Sequence, residues 1–346
     1  MAMADVTVLG AGIFGLSVAW ACVQRGARVR VIDPHGPGAG SSGGIVGALA
    51  PHVPEQWNDK KAFQFDSLMM AGDFWAGVQA ASGLSTGYAR LGRLQPVADG
   101  AALELARARA LSAADLWQGQ AVWEVLRADD CGPWVPASPG GWVIRDTLTA
   151  RLHPRMACAA LVAALRARGA EVVADHAHQG AVVHATGVAG LAEIGAQVGR
   201  SFGNGVKGQA ALLALDMREA PQLFVDTVHV VPHADGTVAI GSTSERDYDD
   251  PASTDRQLDQ VIARARAAVP ALRDAVILER WAGVRPRSRS RAPVLGVHPV
   301  FKDQFIANGG FKIGFGMAPK VAQVMADLVL NGVDRIPTDF RPEASL

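Results

Sequence analysis

At 346 residues the chain exceeds the size at which a single hydrophobic core usually stops growing, so two domains are expected. Apolar residues make up 49% and charged residues 19%, which excludes a disordered chain. Lys plus Arg equals Asp plus Glu at 33 each, which argues against a broad phosphate-binding face for nucleic acid while leaving room for a local basic patch. The three cysteines, Cys22, Cys131 and Cys158, form no close pair and support neither a disulfide framework nor a zinc ribbon.

The run VTVLGAGIFGLSVAWACV, 6–23, is apolar enough to pass for an N-terminal anchor. The residues before it, MAMAD, carry no positive charge, and three glycines interrupt it where a nucleotide-binding turn needs them. No other stretch is long enough to span a bilayer. A soluble, cytoplasmic protein is the expectation.

In chain order, 4–9 reads as a buried strand, Ile13 to Arg25 as a helix stopped by Gly26, and Arg28 to Ile32 as a second strand. HGPGAGSSGGIVGALAP, 35–51, reads as a loop shaped around a ligand. The Ala/Leu/Arg-rich stretch 101–127 predicts helix, and Cys131 to Gly141, with three prolines, predicts a domain crossing. Pro154 opens a helix that Gly169 ends; strands follow at 171–174 and 181–185. The β-rich runs 225–231 and 237–243, joined by PHADG, predict a hairpin. Leu258, Val261, Ile262 and Ala265 mark an amphipathic helix. Val321, Val324 and Leu328 mark a last one, opened by Pro319 and capped by Gly332.

Gly10, Gly12 and Gly15 stand in G-A-G-I-F-G between the first strand and helix, and Asp33 ends the second strand. Gly10 permits the tight turn, Gly12 lets a pyrophosphate approach the backbone, and Gly15 lets helix pack on strand. The helix N-terminus offers free N–H groups to phosphates, and Asp33 can accept from ribose hydroxyls. Ser41 and Ser42, before Gly43 and Gly44, suit an anion cradle or an ordinary polar loop. A-T-G at Ala185 to Gly187 adds a second close approach of backbone to ligand. No metal-ligand cluster is visible.

Five further blocks complete a pattern: SSGG-to-LAP, V-K-G-Q at 206–209, a hairpin ending in IGST, WAGVRP at 281–286 and GGFKIGFGMAP at 309–319. With the N-terminal fingerprint, in this order over about 4–332, they resemble the FAD-dependent D-amino acid oxidase superfamily, in its glycine oxidase and sarcosine oxidase branch. The resemblance implies an α/β fold with two parts. A Rossmann-like FAD-binding domain is assembled from the discontinuous segments 1–85, 142–200 and 282–346. A mixed or antiparallel-sheet α+β substrate domain comes from 86–141 and 201–281.

The resemblance also implies residue roles. Flavin contacts fall to Ile13, Phe14 and Pro34 beside the fingerprint, to Val46, Gly47 and Ala48 in the loop, and to Thr186 and Gly187. Gly310, Phe311, Lys312, Ile313, Gly314 and Phe315 complete them. Arg285 takes the place of the arginine that holds a substrate carboxylate; the bland reading is a surface residue of the run Arg285, Arg287, Arg289, Arg291, all on one face if extended. Lys312 stands where glycine oxidases often carry arginine, or is an exposed turn lysine. His229 and Ser244 match pocket positions commonly filled by Tyr and Met, which implies room for a substrate larger than glycine; His229 otherwise packs across strands. Tyr248, in ERDYDD, sits on a solvated turn or a mobile lid. His52, after Pro51 in the loop, either approaches the ligand or, as is commoner for a lone histidine, faces solvent. No Cys-His pair matches covalent flavin attachment, so FAD is expected to be non-covalent.

Together these readings predict an FAD-dependent oxidoreductase acting on the C–N bond of an amino acid or secondary amine, with hydride passing to flavin N5 to leave an imine. Oxygen, a quinone or another protein serves as electron acceptor. The alternatives are an oxidase of a tRNA-linked amine, for which the 285–291 run offers a basic edge, and a non-catalytic flavin-binding partner subunit.

Overall fold

The computed structural model describes residues 3–346. A six-stranded sheet is built from short, apolar runs in the order Val294–Val297, Phe305–Asn308, Ala181–His184, Val6–Leu9, Val29–Ile32 and Glu171–Val173. All neighbours are parallel except the edge strand Val294–Val297. Burial on both faces explains why these strands read as continuous hydrophobics rather than alternating ones. The helices Ile13–Gln24, Asp59–Ser82, Pro154–Ala167 and Gly314–Asn331 pack together in the core that includes this sheet. Leu161 and Leu165 are fully buried there, each contributing about 1.5–3 kcal/mol of transfer free energy.

Between these strands the chain makes two long excursions, and together they build an eight-stranded sheet. Its order is Val276–Ser288, Gly203–Ala214, Thr237–Gly241, Val228–Pro232, Gln222–Val225, Arg93–Pro96, Trp142–Asp146 and Trp123–Arg127. The single parallel pairing joins Gln222–Val225 to Arg93–Pro96. One face of this sheet buries Leu94, Leu223, Val228, Val230, Val238 and Ile240 under the helix Arg256–Ala268, whose Leu258, Val261, Ile262 and Ala265 form the buried stripe. By the two-residue period of strands, the alternate positions must point the other way, toward the first sheet. That second face is where the site lies.

Several elements differ from the sequence expectation. The helix expected over 101–127 ends at Leu116, because Gln118 and Gly119 take positive φ (50° and 72°) and WEVLR then alternates as a strand. The hairpin expected from 225–231 and 237–243 is present as Val228–Pro232 against Thr237–Gly241, but residue 225 belongs to a further strand: Asp226 and Thr227, both left-handed (φ 47° and 63°), turn the chain between Val225 and Val228. The last helix begins at Gly314, five residues before Pro319, which lies inside it. Proline there removes only the N–H that would have reached Phe315, close to a helix end whose first turn lacks such partners anyway. Trp142–Asp146, placed at the start of a flavin segment by the sequence, pairs in the larger sheet, and the strand Val276–Ser288 runs on through residue 282.

Candidate active site

The glycine turn closes for the reasons that the residue types imply. Gly10 has φ +103°, and a Cβ there would lie 2.3 Å from the Ala185 carbonyl oxygen; one on Gly15 would lie 1.9 Å from the Gly10 oxygen. The helix Ile13–Gln24 then starts with Gly12 as N-cap and no side-chain cap. Ser42 Oγ accepts from the Ile13 N–H at 2.9 Å, which leaves the buried hydroxyl's own proton free to be donated to an anion. Asp33 Oδ2 accepts from the Ala11 N–H at 2.8 Å and Oδ1 from the His35 N–H at 2.9 Å. Each carboxylate oxygen keeps a further lone pair. Across the crevice Thr186 caps the helix Gly187–Val198 without a side-chain bond, and Asn308 Nδ2 donates to the Gly187 carbonyl at 2.9 Å.

This cradle runs toward a cavity of about 520 Å³ between the two sheets. On one side lie Ile13, Ser41, Ser42 and the loop 44–53; on another lie Phe311 to Gly316, at the start of the helix Gly314–Asn331. That helix also lacks a side-chain cap, so its positive end is presented to the cavity. Gly47 (φ +66°) could not be any other residue: a Cβ would lie 1.8 Å from the Leu152 carbonyl oxygen. Gly310 is held against Phe14, 2.9 Å from a would-be Cβ. His233, in the turn after the strand Val228–Pro232, donates from Nε2 to the Ile45 carbonyl at 2.8 Å and fastens the loop to the roof. Burial pushes its imidazole down to about 4, so the ring is neutral at pH 7.

The roof is the alternating face of the larger sheet: Arg93 and Gln95, Phe224, His229, Gly241 and Ser242, Trp281 and Arg285. Phe224 and His229 are register partners with ring centroids 4.6 Å apart, and His229 pairs with Gly241 on its other side. Burial, reinforced by the charges of Arg93 and Lys312, pushes His229 down to about 3, so it stays neutral. Arg285 Nη1 donates to Ser242 Oγ at 2.7 Å, and Nη2 donates to the Thr243 and Lys207 carbonyls at 2.8 and 3.1 Å. Its Nε is buried without a partner. Burial lowers the guanidinium to about 10 against the opposing pull of Glu245, so it remains charged. Gly208 clears its path: a Cβ there would lie 2.3 Å from Nη2.

Lys312 keeps solvent contact at the cavity's edge, its Nζ 5.7 Å from the Phe311 ring centroid. Partial burial, then the charges of Arg285 and Arg287, lower it from the ordinary lysine range. Of the sequence-derived residues, the cavity collects Ile13, Ser41, Ser42, Val46, Gly47, Ala48, Arg285, Lys312, His229, Phe311, Ile313, Gly314 and Phe315. Pro34 and Ser244 are exposed; Ser242, two residues before Ser244, lines the cavity in its stead.

The arginine run shares one face only in part. Arg285 and Arg287, two residues apart on one strand, both lie over the Phe311 ring, at 5.6 and 5.7 Å from its centroid. Arg285 lines the cavity, whereas Arg287 lines a separate depression with Arg246, Arg289 and Arg291, the strand ending at Ser288 and Arg291 being left-handed (φ 62°). His52 lines the cavity rather than facing solvent, since Gln64 Oε1 accepts from its backbone N–H at 2.8 Å and from its Nδ1 at 2.5 Å. Arg93, Gln95, Phe224, Ser242 and Trp281 have no role in the sequence reading. Only the R-x-Q spacing within a four-residue strand could have signalled the first two.

A glycine-turn dinucleotide cradle on a parallel sheet, opening under a cation-bearing antiparallel roof, defines a two-part nucleotide-dependent oxidoreductase architecture. The family model described as FAD dependent oxidoreductase (DAO) matches residues 5–328, and the chain belongs to that family. Glycine oxidase of Bacillus licheniformis is 26% identical over 94% of this chain and 93% of its own length. Two solved structures share the fold. Glycine oxidase from Geobacillus kaustophilus has a TM-score of 0.83 at 20% identity, covering 98% of each chain. Iminodiacetate oxidase from Chelativorans sp. BNC1 has a TM-score of 0.83 at 22% identity, covering 97% of this chain and 98% of its own. No helix among the described residues is long and apolar enough to cross a membrane.

The residues present fit FAD. The start of the helix Ile13–Gln24, where Ser42 Oγ takes the first N–H and keeps its own proton, the uncapped start of Gly314–Asn331 and the glycines that no Cβ could replace stand where a dinucleotide would run from the Gly10 turn to the cavity.

Proposed function

We propose that the chain is an amino acid or amine oxidoreductase that oxidises a C–N bond of a carboxylate-bearing substrate, with FAD held non-covalently. Bound FAD supplies the acceptor for a hydride. The observation that carries the reading is Arg285: a charged guanidinium, half-buried in the roof of the cavity, whose Ser242 and main-chain partners hold it in one orientation. With three of its five N–H groups held by these partners, the guanidinium keeps one Nη1–H and its Nε–H, and its fixed charge attracts a carboxylate and thereby sets where the substrate carbon lies. Trp281 and Phe224 supply apolar wall, and His229 and Ser242 leave volume for more than glycine.

Deprotonation asks for no strong base here. No Asp or Glu lines the cavity, and the cationic lining favours a substrate amine that binds neutral. The positive end of the helix Gly314–Asn331 stabilises negative charge that develops beside it. Cys22, Cys131 and Cys158 do not line the cavity, in keeping with non-covalent attachment. The names of the relatives, glycine oxidase and iminodiacetate oxidase, fall in the same substrate class. The test is an anaerobic screen of FAD-loaded protein against amino acids, N-alkylated amino acids and cyclic imino acids. Loss of the oxidised flavin absorbance with a carboxylate-bearing amine is expected; a protein that takes up FAD but is reduced by none of them contradicts the reading.

A further inference from the structure

The cavity is lined by three cations, Arg93, Arg285 and Lys312, and by no acid. One substrate carboxylate answers Arg285. Asp146 answers part of Arg93 from behind, accepting from its Nε at 2.9 Å with both side chains buried. That is Arg93's single side-chain hydrogen bond among the described residues, so both of its terminal nitrogens remain available on the cavity side. The guanidinium lies 5.7 Å from the Phe224 ring centroid, which holds its plane. Around it, two more polar atoms are buried without a partner: Gln95 Nε2, two residues along the same strand face, and His229 Nδ1, on the cross-strand neighbour of Phe224. A buried polar atom left unpaired costs about 1–3 kcal/mol. Gln95 Nε2 is a donor, and a neutral His229 donates from Nδ1 in its Nδ1–H tautomer, so the two beside an incompletely paired guanidinium mark a place that suits an acceptor.

Resting on the amine-oxidation reading, we propose that the substrate is a dicarboxylic amino or imino acid. Its second carboxylate binds Arg93, Gln95 and His229 while its first binds Arg285. Lys312 stands between the two groups electrostatically, since its charge acts on His229 as well as on Arg285. A monocarboxylate would leave the terminal nitrogens of Arg93, Gln95 Nε2 and His229 Nδ1 without a partner in a desolvated space, which disfavours its binding relative to a diacid of matching length.

The proposal is tested on FAD-loaded protein with inert ligands first. Succinate, glutarate and malonate are titrated against acetate and butyrate, read by calorimetry and by perturbation of the flavin spectrum. At least one diacid should bind about ten- to a hundredfold tighter than its monoacid counterpart. In Gln95→Leu that advantage should shrink, and in the paired variant Arg93→Met with Asp146→Leu, which removes both buried charges together, it should fall to within about twofold. If the paired variant does not fold, Gln95→Leu and His229→Phe still decide. Kinetics follow with matched amines: norvaline against glutamate, and N-methylglycine against N-carboxymethylglycine, expected to differ chiefly in KM. Equal binding of diacids and monoacids, or an advantage untouched by all three variants, overturns the dicarboxylate assignment even if amines reduce the flavin. Tight diacid binding with no reduction by any amine instead contradicts the oxidation reading alone.

Discussion

Arg285 reaches Ser242 across the roof, Nη1 to Oγ at 2.7 Å, while its Nη2 is tied to two main-chain carbonyls. The hydroxyl is thus part of what aims the guanidinium. Replacing Arg285 by Ala should lower kcat/KM for a carboxylate-bearing amine by roughly thirty- to a thousandfold, the effect of losing a partly buried charged contact worth on the order of 2–4 kcal/mol. Flavin content should be unchanged, because the glycine turn is remote from the roof. Arg285→Lys should recover only part of the rate, and Ser242→Ala should cost about tenfold or less.

Gly10 gives a test of the cradle that is independent of substrate. With φ +103° and a Cβ forced to 2.3 Å from the Ala185 oxygen, Gly10→Ala cannot be absorbed by rotating a side chain. Strain on the order of 2 kcal/mol or more is expected, with loss of FAD on gel filtration and a lower Tm. Full flavin retention would contradict the placement of the pyrophosphate.

The Arg93–Asp146 pair is buried on both sides, and Asp146 also accepts from the Thr149 N–H at 2.8 Å. Removing only the acid leaves a buried guanidinium uncompensated. Asp146→Ala should therefore destabilise the protein by about 3–5 kcal/mol in denaturant titration. A loss below about 1 kcal/mol would place the pair in a wetter environment than the structure gives it.

Among the described residues burial lowers five histidines below the ordinary 6.5: His229 to about 3, His233 and His298 to about 4, and His52 and His153 in the same direction. Between those values and 6.5 the unfolded chain binds protons that the folded chain does not. Stability from this source is therefore complete above about pH 6.5 and falls as the pH drops. Carboxylates lowered by arginine partners, such as Glu55 beside Arg109, act in the same direction but further toward acid. The unfolding midpoint in urea should decline from about pH 6.5 to about pH 5, where the histidines dominate. A flat profile across that interval would contradict their burial.

The dinucleotide half was readable because its constraints are local. Gly10, Gly12, Gly15 and Asp33 lie within one strand, turn, helix and strand, and each glycine answers a contact of its own backbone. The roof was only partly readable because it is assembled across five strands spread from residue 93 to residue 288. Arg285 stood out within a long patterned block, whereas Arg93 and Gln95 lie on a strand of four residues, too short for a period to show. Their meeting with His229 depends on the one parallel pairing of the sheet, Gln222–Val225 beside Arg93–Pro96, which no local signal encodes. Ser244 and Ser242 share strand parity; which of them meets the cavity depends on where the strand ends, at Gly241. Pro319 misplaced a helix start because proline favours a first turn, yet this helix opens on glycines five residues earlier.

The central claim is that the cavity oxidises a carboxylate-bearing amine to an imine, and single-turnover stoichiometry tests it most directly. FAD-loaded protein is mixed anaerobically with the best amine of the screen, and the reduced flavin, the released amine or ammonia, and the 2-oxo acid formed by imine hydrolysis are counted together. For each flavin reduced the account predicts one 2-oxo acid and one amine or ammonia from an open-chain amine, or one cyclic imine with its ring-opened amino oxo acid from a cyclic imino acid, with the corresponding 2-hydroxy acid inert. Flavin reduced by the hydroxy acid, or reduced by the amine without any carbonyl product, would contradict it.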